Sequence, residues 1–399
     1  MKLGISLDEN FVYVNVFGEE VVTSFPFSIG KNLRSKNWFI GEDARSENVD
    51  NVDIVIDKLY YIMENSGRAC IDGVEYSAKD LVRIFFDNLF NKYTDIEYVT
   101  ITIRKSNVGI FATLKSACYK YFKDYSKFKI TTYSEAFVKH LTTQDESVYG
   151  DFIGLFNFTE KAITFYELEI CPFEDKDVYW RIITKDYLEL PLDLLSADSG
   201  VKLCDKLLTK FAKECFNDRA FANIILSGIG FAESQGYREF MNLVCGMGNV
   251  STDVDFFAKA ASLISSFEIN KTHFDMKFLT DARTDASISL YATYNQEGRR
   301  IELVKAGEEW FSIHQYSFEI IADESQVLKF EVVKIVDGLI KEFTLPIPID
   351  MIPRDDKTNL IEVVMTYTQQ NYIDFVLNDK GFGEFFESSN ISHTYSEII

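Results

Sequence analysis

The stretch Ile224-Ile225-Leu226-Ser227-Gly228-Ile229-Gly230-Phe231 is the part of this 399-residue chain that says most about its fold. Its first residues are apolar on both faces of an extended backbone, which predicts a central buried strand. Gly228 and Gly230 then permit a sharp turn or a close approach of the backbone to a ligand. The pattern from Phe231 to Leu243 predicts a helix. A strand, a glycine turn and a helix can hold a phosphate or nucleoside, although most such junctions are only turns.

Composition and charge exclude several classes of protein. The length predicts two or three domains. A net charge of −21 and a pI near 4.7 argue against a nucleic-acid partner, which would require a basic surface. Six cysteines without a C-x-x-C pair and four histidines without ligand spacing predict free thiols and no metal site. No signal peptide or long apolar run is evident, so we expect a cytoplasmic protein without a membrane partner.

The chain opens with a predicted β-meander, which is followed by helices and a further strand. The strands are expected at Lys2 to Asp8, Phe11 to Phe17 and Val21 to Phe27. Apolar periodicity predicts a helix over Val52 to Asn65. Ser77 and Asp80 have the spacing of a capping box at the start of a second helix, which runs to about Tyr93. The β-branched run Tyr98 to Ile103 predicts a strand.

The same order of elements recurs in the second part of the chain. A meander is predicted over Phe152 to Phe158, Ala162 to Ile170 and Tyr179 to Thr184, with helices and the strand at Ile224 after it. A small-residue helix, Asp255 to Leu263, is expected to pack tightly on a neighbouring element. The repeated order indicates an internal duplication of roughly 150 residues.

From about Phe274 the pattern changes to short alternating segments separated by turns, which predicts a β-sandwich. We therefore expect three domains, namely a first lobe at 1–150, a second lobe at 151–270 and a β-sandwich at 271–399.

Residues 1–268 resemble the actin and heat-shock-chaperone ATPase superfamily. Phe39-Ile40-Gly41-Glu42-Asp43-Ala44 looks like the chaperone stretch that ends in a glycine–glutamate–alanine turn. Leu226-Ser227-Gly228-Ile229-Gly230 is similar to the adenosine-motif glycines, and Ala258-Lys259-Ala260-Ala261 to the closing helix. The pattern also looks like a bacterial family of this type with a β-rich tail. The resemblance implies an α/β fold with a duplicated actin-like (ribonuclease H-like) ATPase core around a nucleotide cleft, followed by an all-β sandwich.

The two phosphate loops depart from the pattern of that superfamily. The first reads Gly4-Ile5-Ser6-Leu7-Asp8-Glu9-Asn10, with Ser6 where the family has aspartate and two acids that would repel an anion. The second reads Phe156-Asn157-Phe158-Thr159-Glu160-Lys161, with Asn157 in place of the family's acid and no glycines. Phosphoryl transfer depends on positioning and charge stabilisation, and both loops have lost the residues that supply them.

The resemblance implies a set of nucleotide-contacting positions, and no catalytic or metal-binding residue is assigned. ATP and magnesium are the cofactors that the superfamily implies, and the altered loops argue against both. The candidate positions are Asp8, Glu9, Asn10, Asn157, Thr159, Ser227, Gly228 and Gly230.

Two pairs of acidic residues have a simpler interpretation. Asp8 with Glu9, and Asp253 with Asp255, are each a possible carboxylate pair for acid–base work. Solvated turns attract the same residues, and we favour that interpretation for both pairs.

The sequence leads us to expect a binding or assembly module with a protein or peptide partner rather than a rapid ATPase. In the chaperone relatives a β-rich domain after the ATPase binds peptide, and exposed sheet edges accept an added strand. One alternative is an active ATP-dependent chaperone-like protein or sugar-kinase-like enzyme with a site rearranged around Asp8, Asn157 and Gly228. A third is a structural subunit that forms filaments, as actin does.

Overall fold

The computed structural model describes residues 1–45, 52–122, 127–144, 152–172, 178–187, 190–232, 236–266, 277–294, 297–311, 316–322, 327–336, 339–349, 359–383 and 386–399. The chain forms two compact units. One comprises Met1–Ile170 with Trp180–Met276, and the other comprises Cys171–Tyr179 with Lys277–Ile399. The expected boundaries at 150/151 and 270/271 fall in segments that lie outside the described residues.

The first half of the mixed α/β unit is built around one sheet. Its elements are β1 (Lys2–Leu7), β2 (Phe11–Val16), β3 (Val22–Pro26), β4 (Ile29–Lys31), β5 (Trp38–Ile40), α1 (Glu42–Arg45), β6 (Ile54–Ile56), α2 (Leu59–Glu64), β7 (Arg68–Ile71), β8 (Val74–Ser77), α3 (Ala78–Phe90), β9 (Tyr98–Ile103), α4 (Val108–Cys118), β10 (Phe128–Thr132) and α5 (Tyr133–Leu141). The strand order is β3-β2-β1-β9-β10, antiparallel through the meander and parallel from β1 onward.

The second half of this unit has a sheet with the corresponding order. Its elements are β11 (Phe152–Phe158), β12 (Ile163–Pro172), β13 (Val178–Tyr187), α6 (Asp198–Phe216), β14 (Asn223–Ser227), α7 (Arg238–Met247), β15 (Asn249–Thr252) and α8 (Phe256–Ser266). Five strands of this sheet run in the order β13-β12-β11-β14-β15, with β11, β14 and β15 parallel. In each half the first strand is therefore central in the sheet. The other strands of the meander lie on one side of it, and two parallel strands lie on the other side.

Two predicted helices are shorter in the structure than the sequence indicates. The segment Val52 to Asn65 contains β6 and the short α2, because β-branched Ile54-Val55-Ile56 pairs with β4 instead of continuing a helix. After β14 a 3-10 turn covers Ile229–Phe231, and α7 begins only at Arg238. The buried Asp205 carboxylate accepts the backbone N–H groups of Glu239 and Phe240, which fixes that start.

The predicted capping box of α3 is confirmed. The Ser77 hydroxyl accepts the N–H of Asp80, and the Asp80 carboxylate accepts the N–H of Ser77. The helix presents Leu81, Phe85 and Leu89 to the core, each with no exposed surface. Capping and apolar periodicity act together here, so local sequence is enough to define the helix.

Helix α8 of the second half packs directly on β1 of the first half. A side chain at Gly4 would place its Cβ 2.0 Å from the backbone nitrogen of Ser262, so only glycine fits beneath the helix. Ser262 Oγ donates to Asn15 Oδ1 at 2.5 Å, and Ser265 Oγ donates to the carbonyl of Leu3 at 2.7 Å. These contacts join the two halves, and the absence of a side chain at Gly4 allows α8 to pack against β1.

The other unit is an all-β region. Its strands are β16 (Lys277–Leu279), β17 (Ala286–Tyr294), β18 (Glu297–Val304), β19 (Tyr316–Ala322), β20 (Val327–Val336), β21 (Leu339–Pro348), β22 (Asn359–Gln369), β23 (Tyr372–Gly381) and β24 (Ser392–Ile398). Two four-stranded antiparallel sheets, β18-β17-β20-β21 and β19-β22-β23-β24, enclose a core that includes Trp310, Phe330 and Phe375. In the described residues no helix of either unit is both long and apolar enough to cross a bilayer.

Candidate functional site

A small polar cavity lies between the two halves of the mixed α/β unit. It is lined by residues of β1, β2, β11 and α5, the turn after β14 and the start of α8, namely Ser6, Asp8, Tyr13, Tyr133, Asn157, Thr159, Ser227, Gly228, Ile229, Val254, Asp255, Phe257 and Ala258. Its volume is about 30 Å³. That space accommodates one or two water molecules, whereas pockets for small organic ligands occupy roughly 300 Å³ or more.

Five of the eight positions predicted from the sequence line this cavity, namely Asp8, Asn157, Thr159, Ser227 and Gly228. Asn157 and Ser227 are paired across the parallel strands β11 and β14, so adjacent strand ends bring them together. The remaining three, Glu9, Asn10 and Gly230, are not among the lining residues.

Asp8 is partly buried at the base of the first hairpin turn, and it is not at a solvated tip. The pKa of its carboxyl is raised to about 6, mainly by burial, and the charges of Glu9 and Glu160 act in the same direction. The N–H of Glu9, which donates to Asp8 Oδ1 at 2.7 Å, and the Arg104 guanidinium oppose this shift. A carboxylate in such surroundings disfavours a phosphate group beside it.

Asn157 points its amide into the cavity from β11. Its exposed fraction is 4%, and in the described part of the chain its side chain makes no hydrogen bond. A buried amide normally finds a partner, so an ordered water in the cavity would satisfy it.

The two glycines after β14 make room for Phe158. Gly228 has φ +90°, and a Cβ there would approach the Phe158 carbonyl oxygen to 2.4 Å. A Cβ at Gly230 would lie 2.3 Å from the Phe158 ring, and the Gly230 carbonyl accepts the hydroxyl of Tyr237 at 2.9 Å. The turn is therefore required by backbone geometry and internal packing.

The hairpin turn after β1 and the hairpin turn after β11 are bonded to each other. Asn10 Nδ2 of the first turn donates to Glu160 Oε2 of the second at 2.5 Å, and Lys161 Nζ pairs with Glu9 Oε2 at 3.4 Å. Arg104, just after β9, bridges from Glu9 Oε1 to Thr164 Oγ1, with both distances 3.3 Å.

We call Glu9, Asn10, Arg104, Glu160, Lys161 and Thr164 the turn latch. The ion pairs of Glu9 are partly solvated, because the side chains of Glu9 and Lys161 are 42% and 58% exposed. Pairs of this kind contribute at most about 1 kcal/mol each. The turn latch therefore joins the two hairpin turns next to the cavity through individually weak contacts.

Two aromatic side chains, Tyr133 and Phe257, form part of the cavity wall. The Tyr133 ring stacks on Phe257 with centroids 3.9 Å apart and planes 11° apart. The Tyr133 hydroxyl donates to the carbonyl of Leu7 at 3.0 Å and lies 2.8 Å from Ser6 Oγ. The Ser6 hydroxyl is thus engaged with an internal tyrosine.

Sequence reasoning missed three residues of this region. Arg104 follows the predicted strand Tyr98 to Ile103, and its place at a strand end was the available signal. Tyr133 adjoins the start of α5 without a motif that would distinguish it. Asp255 was interpreted as a solvated turn residue, but it lines the cavity, and burial raises the pKa of its carboxyl while Lys259 opposes the shift.

In the described ranges no group of three or more histidine, cysteine, aspartate or glutamate side chains is arranged to hold a metal ion. The chemistry that the cavity offers is hydrogen bonding from hydroxyl and amide groups together with two carboxyl groups, Asp8 and Asp255.

The fold is that of a mixed α/β protein with an all-β C-terminal region, and the polar cavity lies in the mixed α/β unit. The chain belongs to the DUF5716 family, since the model described as the C-terminal part of that family of unknown function matches residues 12–281. Residues 283–397 match a second model, a domain of unknown function, DUF8552. A comparison with curated proteins finds no match.

Proposed function

We propose that the mixed α/β unit is a duplicated actin-like, chaperone-ATPase-like core that works as a binding or assembly module and does not turn over ATP rapidly. The corresponding strand orders of the two sheets, β3-β2-β1-β9-β10 and β13-β12-β11-β14-β15, support the duplicated architecture. The cavity between the two halves, at the ends of β1 and β11, supports the comparison with a nucleotide cleft.

The observation that carries the functional part is the turn latch. The turns that would hold phosphates bond to each other through Asn10 and Glu160, and only about 30 Å³ remains beneath them. Phosphoryl transfer needs a cradle of backbone N–H groups and a cation beside the phosphates. Here Asp8, Glu9 and Glu160 concentrate negative charge at that place, which disfavours a triphosphate.

The proposed partner is a protein or peptide, with no role for nucleic acid or membrane. Support comes from the all-β unit, in which β21 is an edge strand among the described strands and exposes Leu339, Ile340 and Phe343. Sheet edges bind extended peptides through main-chain hydrogen bonds. The net charge of −21 disfavours nucleic acid.

Isothermal titration of the full chain with ATP and magnesium tests the proposal. We expect no heat of binding and no release of phosphate, and we expect thermal unfolding to be unchanged by millimolar nucleotide. Micromolar binding accompanied by hydrolysis would overturn the non-enzymatic assignment.

A rearranged nucleotide site is the alternative, and the convergence of Asp8, Asn157 and Gly228 on one cavity favours it. In that case Asn157→Leu should weaken nucleotide binding at least tenfold. The matched control is Glu214→Gln on the exposed face of α6, which should leave binding unchanged. Nucleotide binding that is insensitive to Asn157→Leu would count against this alternative.

A further inference from the structure

Charge is unbalanced where the two hairpin turns meet. Asp8 and Glu9 of the first turn and Glu160 of the second bring three carboxyl groups together, and among the described residues two bases, Arg104 and Lys161, pair with Glu9. Ionisation of all three acids leaves one negative charge in excess at the mouth of the cleft.

We propose that the turn latch is a pH-sensitive catch, which holds the cleft closed while Asp8 is protonated and releases it when Asp8 ionises. The proposal concerns the motion of the two halves and does not depend on the function proposed above.

The contacts place the catch at the partly exposed tips of the two hairpin turns. The pairs Asn10–Glu160 and Glu9–Lys161 both cross from one half to the other at the tips of their turns. A second described junction is the buried packing of α8 on β1, which includes the bond from Ser265 Oγ to the Leu3 carbonyl. Release of the turn latch therefore opens the mouth while α8 keeps the halves joined.

Several groups from the surrounding elements face Asp8. Glu9 and Glu160 disfavour its ionised form, and Arg104 favours it. The charge of Asp8 in turn helps to raise the pKa values of three tyrosine hydroxyls, those of Tyr13 on β2, Tyr60 on α2 and Tyr133 on α5. Asp255 lies on another part of the cavity wall and acts on Tyr13. The tyrosine pKa values are raised, so these rings stay neutral while Asp8 titrates.

Burial is the main reason that the closed cleft prefers the protonated carboxyl, with a pKa of about 6. Opening restores solvent and the ordinary value near 3.8. Since the closed state binds the proton more tightly, a rise in pH shifts the population toward the open state. The ratio of open to closed molecules should increase about tenfold between pH 5 and pH 8.

The chain supplies its own labelling sites for the measurement. Cys70 on β7 of the first half and Cys245 on α7 of the second half are exposed, whereas Cys118, Cys204 and Cys215 are buried. The side chain of Cys171 lies outside the described residues, so Cys171→Ser removes it. Nitroxide labels on Cys70 and Cys245 then report the separation of the halves in the full chain by pulsed electron paramagnetic resonance.

We expect a longer-distance population that grows from pH 5 to pH 8 in the otherwise unmodified chain. Asp8→Asn should keep the shorter distance at both pH values, whereas the double variant Asn10→Ala, Lys161→Ala should show the longer distance already at pH 5. The control Glu214→Gln, an exposed acid on α6, should behave like the parent. Circular dichroism of each variant establishes that it is folded.

A distance distribution that is the same at pH 5 and pH 8 in the parent chain would overturn the proposal. So would a pH-dependent change that survives in folded Asp8→Asn. A double variant that stays closed at both pH values would show that the turn latch is not the catch. Each result is independent of whether the protein binds ATP.

Discussion

At the residue scale, the environment of Asp8 in the first turn differs from the one that its sequence position predicts. The sequence places Asp8 in a hairpin turn, where a solvated acid is the ordinary expectation. The fold instead covers it with the second half of the unit and raises its pKa to about 6. A residue that favours a turn locally thus becomes a partly buried titratable group beside residues about 150 positions away in the chain.

Replacing Asp8 with asparagine should stabilise the protein at pH 8. The native state holds the proton more tightly than the unfolded chain, so stability from this group is full below about pH 4 and is lost as the pH rises through 6. The loss amounts to at most about 3 kcal/mol, because one pKa unit corresponds to about 1.4 kcal/mol. Asp8→Asn should therefore gain about 1–3 kcal/mol at pH 8 and nothing at pH 4.

Urea unfolding at the two pH values measures this difference. The exposed Glu214→Gln serves as the control and should change stability by less than about 0.5 kcal/mol at either pH. An Asp8→Asn variant that is less stable than the parent at pH 8 would contradict the assignment of a raised pKa.

At the residue scale the candidate positions were found because strand ends and turns carry local signals. Asn157 and Ser227 follow apolar strand residues, and both end at the cavity. The partners were not predictable from the sequence, because Arg104 reaches Glu9 and Thr164 only when two separate hairpins face each other.

At the scale of elements, the prediction succeeded where the sequence contains its own start signal. Helix α3 has its capping box at Ser77 and Asp80, and the strand Tyr98–Ile103 has the expected bounds. The helix predicted over Val52 to Asn65 forms only at Leu59–Glu64, because β6 pairs with β4, about 25 residues away in the chain. Long-range pairing overrides local periodicity in such short segments.

Ser77→Ala should destabilise the protein by about 1 kcal/mol, because it leaves the N–H of Asp80 without its side-chain acceptor. Ser77→Thr retains the hydroxyl and should lose less. Equilibrium unfolding in urea measures both variants. Ser24→Ala on the exposed face of β3 is the matched control and should be near neutral. Equal effects of Ser77→Ala and Ser24→Ala would show that the cap contributes nothing.

At the scale of the whole molecule, the association of the two halves of the α/β unit depends on a close backbone approach. Gly4→Ala would bring a methyl group to 2.4 Å from the Ala258 carbonyl oxygen and closer still to the Ser262 nitrogen. Neither backbone atom can move without shifting α8 from β1. We expect a loss of at least about 3 kcal/mol, at the upper end for overpacked sites.

Thermal and urea unfolding of the full chain measure this effect. Gly246→Ala is the control, since no atom of the described residues lies within 4 Å of a Cβ there and alanine favours the helix α7. It should be neutral or stabilising by up to about 1 kcal/mol. Normal stability of Gly4→Ala would contradict the packing of α8 on β1.

The sequence by itself determined the mixed α/β class, the repeated order of strands and helices and the β-rich C-terminal region. These follow from periodicity, turn residues and caps, which act over a few neighbouring positions. Only the tertiary structure decided that the two glycines make room for Phe158, that Gly4 lies beneath α8 and that the hairpin turns close on each other. Those contacts join residues that are far apart in the chain. They are determined by packing and burial in the folded protein, and no local sequence pattern predicts them.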